Sequence, residues 1–365
     1  MTKCLGGHSI GNDSKTMGIS PLMNSRRTTI SDIARKAGVG VGTVSRVLNN
    51  NPNVKAQTRQ KVQQIIEKVG YQPSFTARSL RTQKTHVIGF IADAVATTPY
   101  AVNVIKGAQD AAWEHGKLLL VVDADNDPAR REAALEAMID RKVEGVIYAA
   151  MFHQEVTLSE RFYEVPTVLV DCYCKDNTFS SVVPDEVQGG RLATEKLIEG
   201  GHKRIAIITN DKLSSGYPAP KGRLKGYKEA LKKARLPFDE SLFLEGNSNA
   251  DSGYEYTLKL MRLKHPPTAI FCCTDRMAMG AYDALKKLDF SISKDVSVIG
   301  FDNQDVIANY LYPPLSTVAL PHYEMGQWAI HQLLSKHTSG TVQIKNQHVL
   351  PCPFIERASI GSLLA

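Results

Sequence analysis

The feature that most constrains the fold is a regular alternation of apolar runs and amphipathic helical patterns from residue 86 onward. Seven runs have the continuous apolar character of buried parallel strands, at 86–93, 117–125, 143–151, 165–173, 204–211, 268–275 and 296–303. Helical patterns lie among them at 101–115, 129–141, 186–200, 222–235, 251–263, 276–288 and 322–336. This order predicts an α/β fold with doubly wound parallel sheets, and seven strands exceed one comfortable sheet.

Three short helical patterns precede this region. The first begins with a capping box at Thr29-Ile30-Ser31-Asp32 and ends before Gly38, and the third ends before Gly70. The second lies in AGVGVGTVSRVLN, residues 37–49, where glycines inside a helix cost about 1 kcal/mol each relative to alanine. Two helices joined by a tight glycine-containing turn form a helix-turn-helix pattern. A small helical bundle that binds no nucleic acid is the alternative.

The distribution of charge favours binding to nucleic acid. Residues 26–84 hold twelve Lys and Arg against two acids, a net charge of +10, whereas residues 85–365 carry a net charge of −4. A basic segment attached to an acidic body is the electrostatic footprint of phosphate binding. A general requirement for solubility would not give opposite signs in two parts of one chain.

A short basic segment, GYQPSFTARSLRTQKT, connects the two regions at residues 70–85. About two turns from Ser74 to Leu80 are too short to hold a helix alone in water, so we expect residues 74–80 to be disordered without DNA. Leu80 stands among basic residues, which suits an apolar wedge inserted into a minor groove. A flexible tether is the alternative.

Several motifs together resemble the LacI/GalR family of bacterial transcription regulators. In the headpiece and hinge they are AGV, TVSRVLN, V-x-x-x-T-R-x-K-V, GY-x-P and ARSL, in this order within residues 30–82. Downstream they are HVIGFI (86–91), GHKRIAII (201–208), GRLKGY (222–227), TAIFCCTDRMAMGA (268–281) and DVSVIGFDN (295–303). The similarity covers about residues 26–360.

The resemblance implies an all-α helix-turn-helix headpiece at 26–72, a hinge helix or linker at 73–85, and a two-lobed core at 86–365 that is similar to periplasmic binding proteins. Lobe 1 is expected at about 86–180 plus 316–340, and lobe 2 at about 181–315 plus 341–360. Residues 1–25 are expected to be a disordered tail. The implied function is that of a sequence-specific transcriptional repressor. It would bind double-stranded operator DNA as a homodimer, under the control of a small-molecule effector held between the lobes.

In the family, the start of the second helix enters the major groove. Gly40 and Gly42 offer no side chain there, so Val41, Thr43, Ser45 and Arg46 are expected to contact bases. The complete set of predicted DNA-binding residues is Thr29, Gly40, Val41, Gly42, Thr43, Ser45, Arg46, Asn49, Thr58, Tyr71, Ser74, Ala77 and Leu80.

Candidate effector residues follow from the position of polar side chains at the ends of the apolar runs, where open α/β sheets bind ligands. Carboxylates and an arginine facing one cleft pair with vicinal hydroxyls, which favours a sugar or sugar derivative. The resemblance supports Asp171, Arg223 and Asp302 in particular, while each aspartate could instead cap a helix. The predicted effector-binding residues are Asp93, Thr97, Tyr100, Asp171, Arg223, Thr274, Asp275 and Asp302.

Two departures from the family pattern leave the effector open. Asn247-Ser248 stand where sugar-binding relatives often have an aromatic residue, and Thr274 stands where relatives often have asparagine. A nucleoside or other metabolite acting as corepressor is therefore an alternative effector. A solute-binding protein without DNA function is a second alternative, but it would be expected to have a signal peptide and no headpiece.

Other functional classes lack sequence support. The chain has no catalytic motif, metal-ligand spacing or cofactor motif, so we expect no enzyme activity and no cofactor. The absence of an eighteen-residue apolar run and of an apolar segment in residues 1–25 predicts a cytoplasmic protein without a membrane span. The six cysteines lack C-x-x-C spacing, which favours buried reduced thiols. Only five residues follow 356–360, which favours a dimer over a tetramer built by an appended heptad helix.

Overall fold

The computed structural model describes residues 28–71, 84–96, 98, 101–335 and 347–363. The chain divides into two compact units, Met1–Arg81 and Thr82–Ala365, here called the headpiece and the core. The predicted tail at 1–25 and the predicted hinge residues Ser74, Ala77 and Leu80 lie outside the described residues.

The headpiece contains three helices in its described part: α1 (Ile30–Ala37), α2 (Val41–Leu48) and α3 (Ala56–Val69). The capping box is present, because the Asp32 N–H donates to Thr29 Oγ1 over 3.2 Å and the Thr29 N–H donates to the Asp32 carboxylate over 3.0 Å. Gly38 and Gly70 end α1 and α3 with φ angles of 65° and 58°, a conformation that favours glycine. A small apolar cluster joins the helices, with Ile33, Ala34, Ala37, Val44, Val47 and Val62 buried. The predicted helix-turn-helix pattern is confirmed.

The core alternates strands and helices as predicted. Its described strands are β1 (Val87–Ala92), β2 (Leu118–Asp123), β3 (Val146–Glu155), β4 (Thr167–Tyr173), β5 (Ser180–Pro184), β6 (Ile205–Thr209), β7 (Phe243–Glu245), β8 (Ala269–Cys272), β9 (Ser297–Asp302), β10 (Ser316–Ala319), β11 (Gln347–Leu350) and β12 (Phe354–Ile355). The helices are α4 (Val102–Glu114), α5 (Pro128–Asp140), α6 (Glu186–Glu199), α7 (Pro218–Lys233), α8 (Ala250–Met261), α9 (Asp275–Lys287), α10 (Asp305–Ala308) and α11 (His322–Ser335). Short 3-10 segments lie at Glu160–Glu164, Leu213–Ser215 and Glu240–Leu242.

These elements build two separate six-stranded sheets, which confirms the predicted fold class. The first has the order β11-β5-β4-β3-β1-β2, and all its pairs are parallel. The second has the order β12-β10-β9-β8-β6-β7 and is parallel except for the pairing of β12 with β10. Strands such as β4 and β6 are buried along almost their whole length, because helices cover both faces of each sheet.

The lobe boundaries differ from the expected ones in three places. β5 pairs with β4 and extends lobe 1 to residue 184. β10 pairs with β9 and belongs to lobe 2, so the chain returns to lobe 1 only at α11, which packs on α4. β11 pairs with β5 in lobe 1, and only β12 lies in lobe 2. The expected lobe ranges imply three crossings between the lobes, and each of the three comes later in the chain than expected.

Candidate functional site

The second helix of the headpiece buries one face and exposes the other. Val44 and Val47 are buried against α1 and α3, whereas Val41 keeps 45% of its surface exposed. Arg46 is exposed, and its Nε donates to the Gly42 carbonyl over 3.2 Å. The outward face therefore combines an apolar side chain with a guanidinium group, two groups that read base edges in a major groove.

The glycines at the start of α2 are not required by packing within the headpiece. A Cβ built on Gly40 or on Gly42 meets no atom within 4 Å. Gly40 is the N-cap of α2 with a φ angle of −72°, which any residue adopts. Since neither packing nor this backbone angle calls for glycine, the bare surface at the start of α2 is free for a partner outside the headpiece.

The other predicted DNA-binding residues of the headpiece lie around this face or support it. Thr29 caps α1, and the side chain of Asn49 donates to the Ser45 carbonyl over 2.6 Å. Thr58 is half-buried on α3, and Tyr71 packs against the apolar cluster. The described part thus places Thr29 and Tyr71 as structural residues of the headpiece, in addition to any contact they make with DNA.

A cleft in the core lies at the carboxyl ends of strands from both sheets, where ligands bind in open α/β folds. It lies between lobe 1 and lobe 2, and its empty space, counted together with the adjoining solvent, is about 450 Å³. Four of the predicted effector residues line it, namely Asp171, Arg223, Thr274 and Asp302. The remaining lining consists of Met151, Phe152, His153, Glu186, Asn210, Ala219, Ser248, Arg276, Leu320 and His322.

An arginine held by two acids forms the centre of this cleft. Arg223 Nε donates to Glu186 Oε2 over 2.7 Å, and Arg223 Nη1 lies 3.6 Å from Asp302 Oδ1. Arg223 Nη1 also donates to the carbonyl of Cys273, and the guanidinium lies 3.7 Å from the centre of the Phe301 ring. Because these contacts fix the guanidinium in place, it can present a preorganised edge to a ligand.

The packing of α6 on α7 brings these charges together. A Cβ on Gly190 would overlap the backbone of Arg223, and a Cβ on Gly226 would overlap the carbonyl of Val187. Glycine at both positions lets the two helix backbones touch. Glu186 in the first turn of α6 is therefore set directly against Arg223 of α7.

Burial controls the protonation of the acids in the cleft. It raises the pKa of Asp171 well above its usual range, and nearby Glu186 acts in the same direction. Burial likewise raises the pKa of Asp302 to about 6, although the positive charge of Arg223 opposes it. Burial opposes the charge on Arg223, but Glu186 and Asp302 outweigh it and raise the pKa of the guanidinium. A carboxyl group that keeps its proton can donate as well as accept a hydrogen bond, which suits hydroxyl partners.

Two predicted effector residues lie outside the cleft lining, contrary to expectation. The Asp93 carboxylate accepts hydrogen bonds from Tyr148 Oη and from Arg131 Nη1 inside lobe 1. Asp275 is fully buried and accepts from the Gln304 N–H over 2.6 Å and from Thr317 Oγ1 over 2.6 Å. Both carboxylates are thus turned toward partners inside their own lobe. The predicted residues Thr97 and Tyr100 lie outside the described part of the chain.

Sequence reasoning missed several cleft residues. Glu186 follows a helix cap, where an acidic residue is favourable for the helix dipole and gives no sign of a distant partner. Phe152 and His153 belong to an irregular part of β3, between its paired residues Ala149 and Gln154, which the apolar pattern does not reveal. The positively charged Arg276 follows Asp275 at the start of α9, and its side chain lines the cleft.

Other kinds of site receive no support from the described residues. They contain no group of three or more side chains suited to hold a metal ion. Among the same residues, no helix has the length and apolar character needed to cross a membrane. The five described cysteines are all buried free thiols, as the sequence predicted for them.

Comparisons with protein families and known proteins cover both units. The family model described as "Bacterial regulatory proteins, lacI family" matches residues 29–74, and that described as "Periplasmic binding protein-like domain" matches residues 194–360. The "Ribose operon repressor" of Escherichia coli (strain K12) is 34% identical over 337 residues, which are 91% of this chain and 99% of that protein.

Two solved structures illustrate the similarity in fold. The "transcriptional regulator CelR-cellobiose complex" is 28% identical with a TM-score of 0.63, over 91% of this chain and 100% of that one. A LacI family transcriptional regulator from Enterococcus faecium with bound ribose is 25% identical with a TM-score of 0.61, over 76% of this chain and 99% of that one.

Proposed function

Because the chain belongs to the LacI family of bacterial regulatory proteins, we propose that it represses transcription by binding operator DNA under the control of a small molecule. The observation that carries this proposal is the combination, in one chain, of an exposed glycine-bearing reading helix and a core cleft lined with preorganised charges. The family consists of regulatory proteins, so a catalytic role for the cleft has no support.

We propose that α2 reads the major groove through Val41 and Arg46, with Thr43 and Ser45 beside them. The bare backbone at Gly40 and Gly42 lets the start of the helix come close to the base pairs. Hinge residues Ser74, Ala77 and Leu80 complete the proposed DNA contact, with Leu80 as a wedge in the minor groove. Phosphate contacts from exposed lysines such as Lys36 would add affinity that depends on salt but not on sequence.

The proposed effector is a small hydroxylated metabolite held by Asp171, Arg223, Thr274 and Asp302. A sugar or sugar derivative fits best, since fixed carboxyl groups and a guanidinium pair well with neighbouring hydroxyls. The relatives named for ribose and cellobiose support this class. A nucleoside remains the second candidate, because its ribose offers the same vicinal hydroxyls.

We also propose a homodimer. An exposed apolar patch on lobe 2 consists of Val306, Tyr310 and Tyr312, whose surfaces are 68%, 76% and 80% exposed. A patch of this kind marks a surface for association with another protein, and a two-fold dimer matches a near-palindromic operator. Sedimentation of the parent and of a Tyr310→Ser, Tyr312→Ser protein tests this, with a shift toward monomer expected in the variant.

The proposed function is tested by fluorescence anisotropy with DNA from upstream of the protein's own gene. We expect specific binding that a scrambled duplex of the same length does not show, and loss of most of that specific affinity in Leu80→Ala. Addition of the true effector should change the affinity for the specific duplex. Equal binding to the specific and scrambled duplexes would contradict the proposal.

A further inference from the structure

We propose that the effector has two parts, and that an outer compartment of the cleft binds a second ring attached to the hydroxylated ring. This inference rests on the proposed function, because the first ring occupies the inner cleft around Arg223. The outer compartment has about 840 Å³ of empty space, counted together with the adjoining solvent, and shares Phe152, Asn210, Ser248 and Arg276 with the inner cleft. Because these four residues line both spaces, the two spaces adjoin, and a two-ring ligand would place one ring in each.

Aromatic rings from both lobes meet in this compartment. Phe152 comes from β3 of lobe 1, and Tyr217 is the N-cap of α7 in lobe 2. Their ring centres lie 6.0 Å apart with an angle of 54° between the planes. Phe152 leaves 44% of its surface exposed, although a phenylalanine gains from burial. Two tilted rings at the mouth of a polar cleft offer an apolar face for a flat sugar or a base.

The backbone around Phe152 indicates that its position is imposed by the surrounding structure. Phe152 and His153 have φ angles of 74° and 44°, in the left-handed region that residues other than glycine avoid. They lie where the register of β3 against β4 shifts, between Ala149 and Gln154. Irregularities of this kind redirect a side chain beside a binding site. Here the shift carries the Phe152 ring into the outer compartment.

Polar groups in the compartment also point to a missing partner. Asn210 is only 8% exposed, yet its Oδ1 has no hydrogen-bond partner. Buried side-chain oxygens are nearly always bonded, so this acceptor awaits a donor from the ligand. Asn249 occupies the N-cap position of α8 but makes no capping bond with its side chain. Asparagine at an N-cap normally makes that bond, so its amide remains for another role.

The arrangement explains a gap that the sequence alone left open. Asn247-Ser248 lack the aromatic residue that sugar-binding relatives often have at this position. Tyr217 and Phe152 supply aromatic surface to the same compartment from elsewhere in the chain. Amides beside aromatic rings suit either a second sugar ring or a nucleoside base, because both combine a flat face with polar edges. The shared chemistry is a hydroxylated ring that carries a second ring.

Calorimetry on the full-length protein tests the inference with matched probes: ribose with inosine, glucose with cellobiose, and galactose with lactose. We expect the two-ring member of at least one pair to bind about tenfold more tightly than its single-ring partner, which is the scale of one aromatic stacking contact. In Tyr217→Ala that advantage should fall to about threefold or less. Tyr217→Phe is the matched control and should keep the advantage, because it retains the ring.

Two further variants separate this inference from the proposed function. Asn249 lines the outer compartment and not the inner cleft. The Asn249→Ala variant should therefore reduce the two-ring advantage without changing the affinity for single-ring probes. Asp171→Asn should weaken both members of a pair, because Asp171 lies in the inner cleft. Single-ring binding as tight as two-ring binding, or a full advantage in Tyr217→Ala, would overturn the two-part effector and leave the proposed function standing. A failure of all six probes to bind would contradict the sugar or nucleoside effector itself, and this inference with it.

Discussion

Glycines on helices have opposite environments in the headpiece and in the core. In the headpiece, Gly40 at the N-cap of α2 and Gly42 inside α2 face open space, and an added Cβ would touch nothing. In the core, three pairs of helices pack with their backbones in close contact, and each helix contributes one glycine to the contact. An added Cβ at any of these glycines would overlap the partner helix. These pairs are Gly190 with Gly226, Gly253 with Gly280, and Gly107 with Gly326.

The difference shows that glycine on a helix can indicate close contact with either of two kinds of partner. A glycine inside a helix costs about 1 kcal/mol relative to alanine. Gly42 and the core glycines therefore need a compensating contact, whereas Gly40 at the N-cap does not. In the core that contact is a neighbouring helix of the same chain, and it positions the charges of the cleft. In α2 the headpiece offers no such contact, and the proposed compensation is the close approach of DNA.

The largest effect is expected for a methyl group added inside the core. Gly226→Ala forces the α6 and α7 backbones apart, because the Cβ overlaps the carbonyl of Val187. We expect a loss of about 3 kcal/mol or more in the free energy of unfolding, at the upper end for overpacked sites. Urea unfolding followed by far-ultraviolet circular dichroism measures it, since most helices and strands of the described chain, α6 and α7 included, lie in the core. An unchanged midpoint would show that the two helices can separate without cost.

The next effect concerns buried acids, which the described part of the headpiece lacks, since Asp32 and Glu67 are not buried. The pKa of Asp302 is about 6 in the folded core against 3.8 ordinarily. Between these values the folded state binds more protons than the unfolded state. The contribution of Asp302 to stability therefore falls as the pH rises from about 4 to about 6, by roughly 2–3 kcal/mol, and is constant above that.

Comparison of the parent with Asp302→Asn over this pH range isolates the contribution. The variant cannot titrate at position 302, so the difference in unfolding free energy between the two proteins should change across pH 4–6. The contributions of titratable groups that are present in both proteins cancel in that difference. A difference that stays constant from pH 4 to pH 7 would mean that Asp302 titrates near its ordinary value.

A comparable effect is expected at the reading face of α2. Arg46→Ala removes the exposed guanidinium and should weaken specific operator binding by about 1–3 kcal/mol. Lys36→Ala should instead reduce affinity for all sequences and lower the salt dependence. Anisotropy titrations at two salt concentrations, with specific and scrambled duplexes, distinguish the two results. Full selectivity in Arg46→Ala would remove this residue from base reading.

Much of the fold could be predicted from the sequence, because long buried strands produce continuous apolar runs. The seven predicted runs correspond to β1, β2, β3, β4, β6, β8 and β9. Five strands escaped. β7 and β12 have only three and two residues, and β11 is largely accessible to solvent. β5 and β10 are buried but short, and each begins with two hydroxyl residues that break the apolar pattern. Short or half-exposed strands owe their existence to pairing with distant neighbours, which local pattern does not encode.

The candidate site was only partly predictable for a similar reason. Asp171, Thr274 and Asp302 stand at strand ends and Arg223 in a family motif, and all four reach the cleft. Asp93 and Asp275 also stand at strand ends, but partners from other elements, Tyr148 and Thr317, turn them inward. Glu186 was missed because its partner lies on another helix. Position along the chain identified the edge of the sheet, whereas tertiary partners decided which way each side chain points.

The smallest effect is expected at the start of α2, where we propose that DNA approaches the exposed backbone. Gly42→Ala adds a methyl group where the headpiece has room for it, so the headpiece should become more stable by up to about 1 kcal/mol. In the same protein the Cβ should obstruct the close approach to DNA and weaken specific operator binding. Gln63→Ala is the matched control, because Gln63 is exposed on α3 and is not among the predicted DNA-binding residues.

The decisive measurement is made on full-length Gly42→Ala, by hydrogen exchange of residues 30–69 without DNA and by anisotropy with operator. We expect amide protection up to about fivefold higher than in the parent, together with operator affinity at least about fivefold lower. Gln63→Ala should leave operator affinity unchanged. Gly42→Ala with higher protection and parental operator affinity would contradict the account, because the space beside Gly42 would then serve no partner.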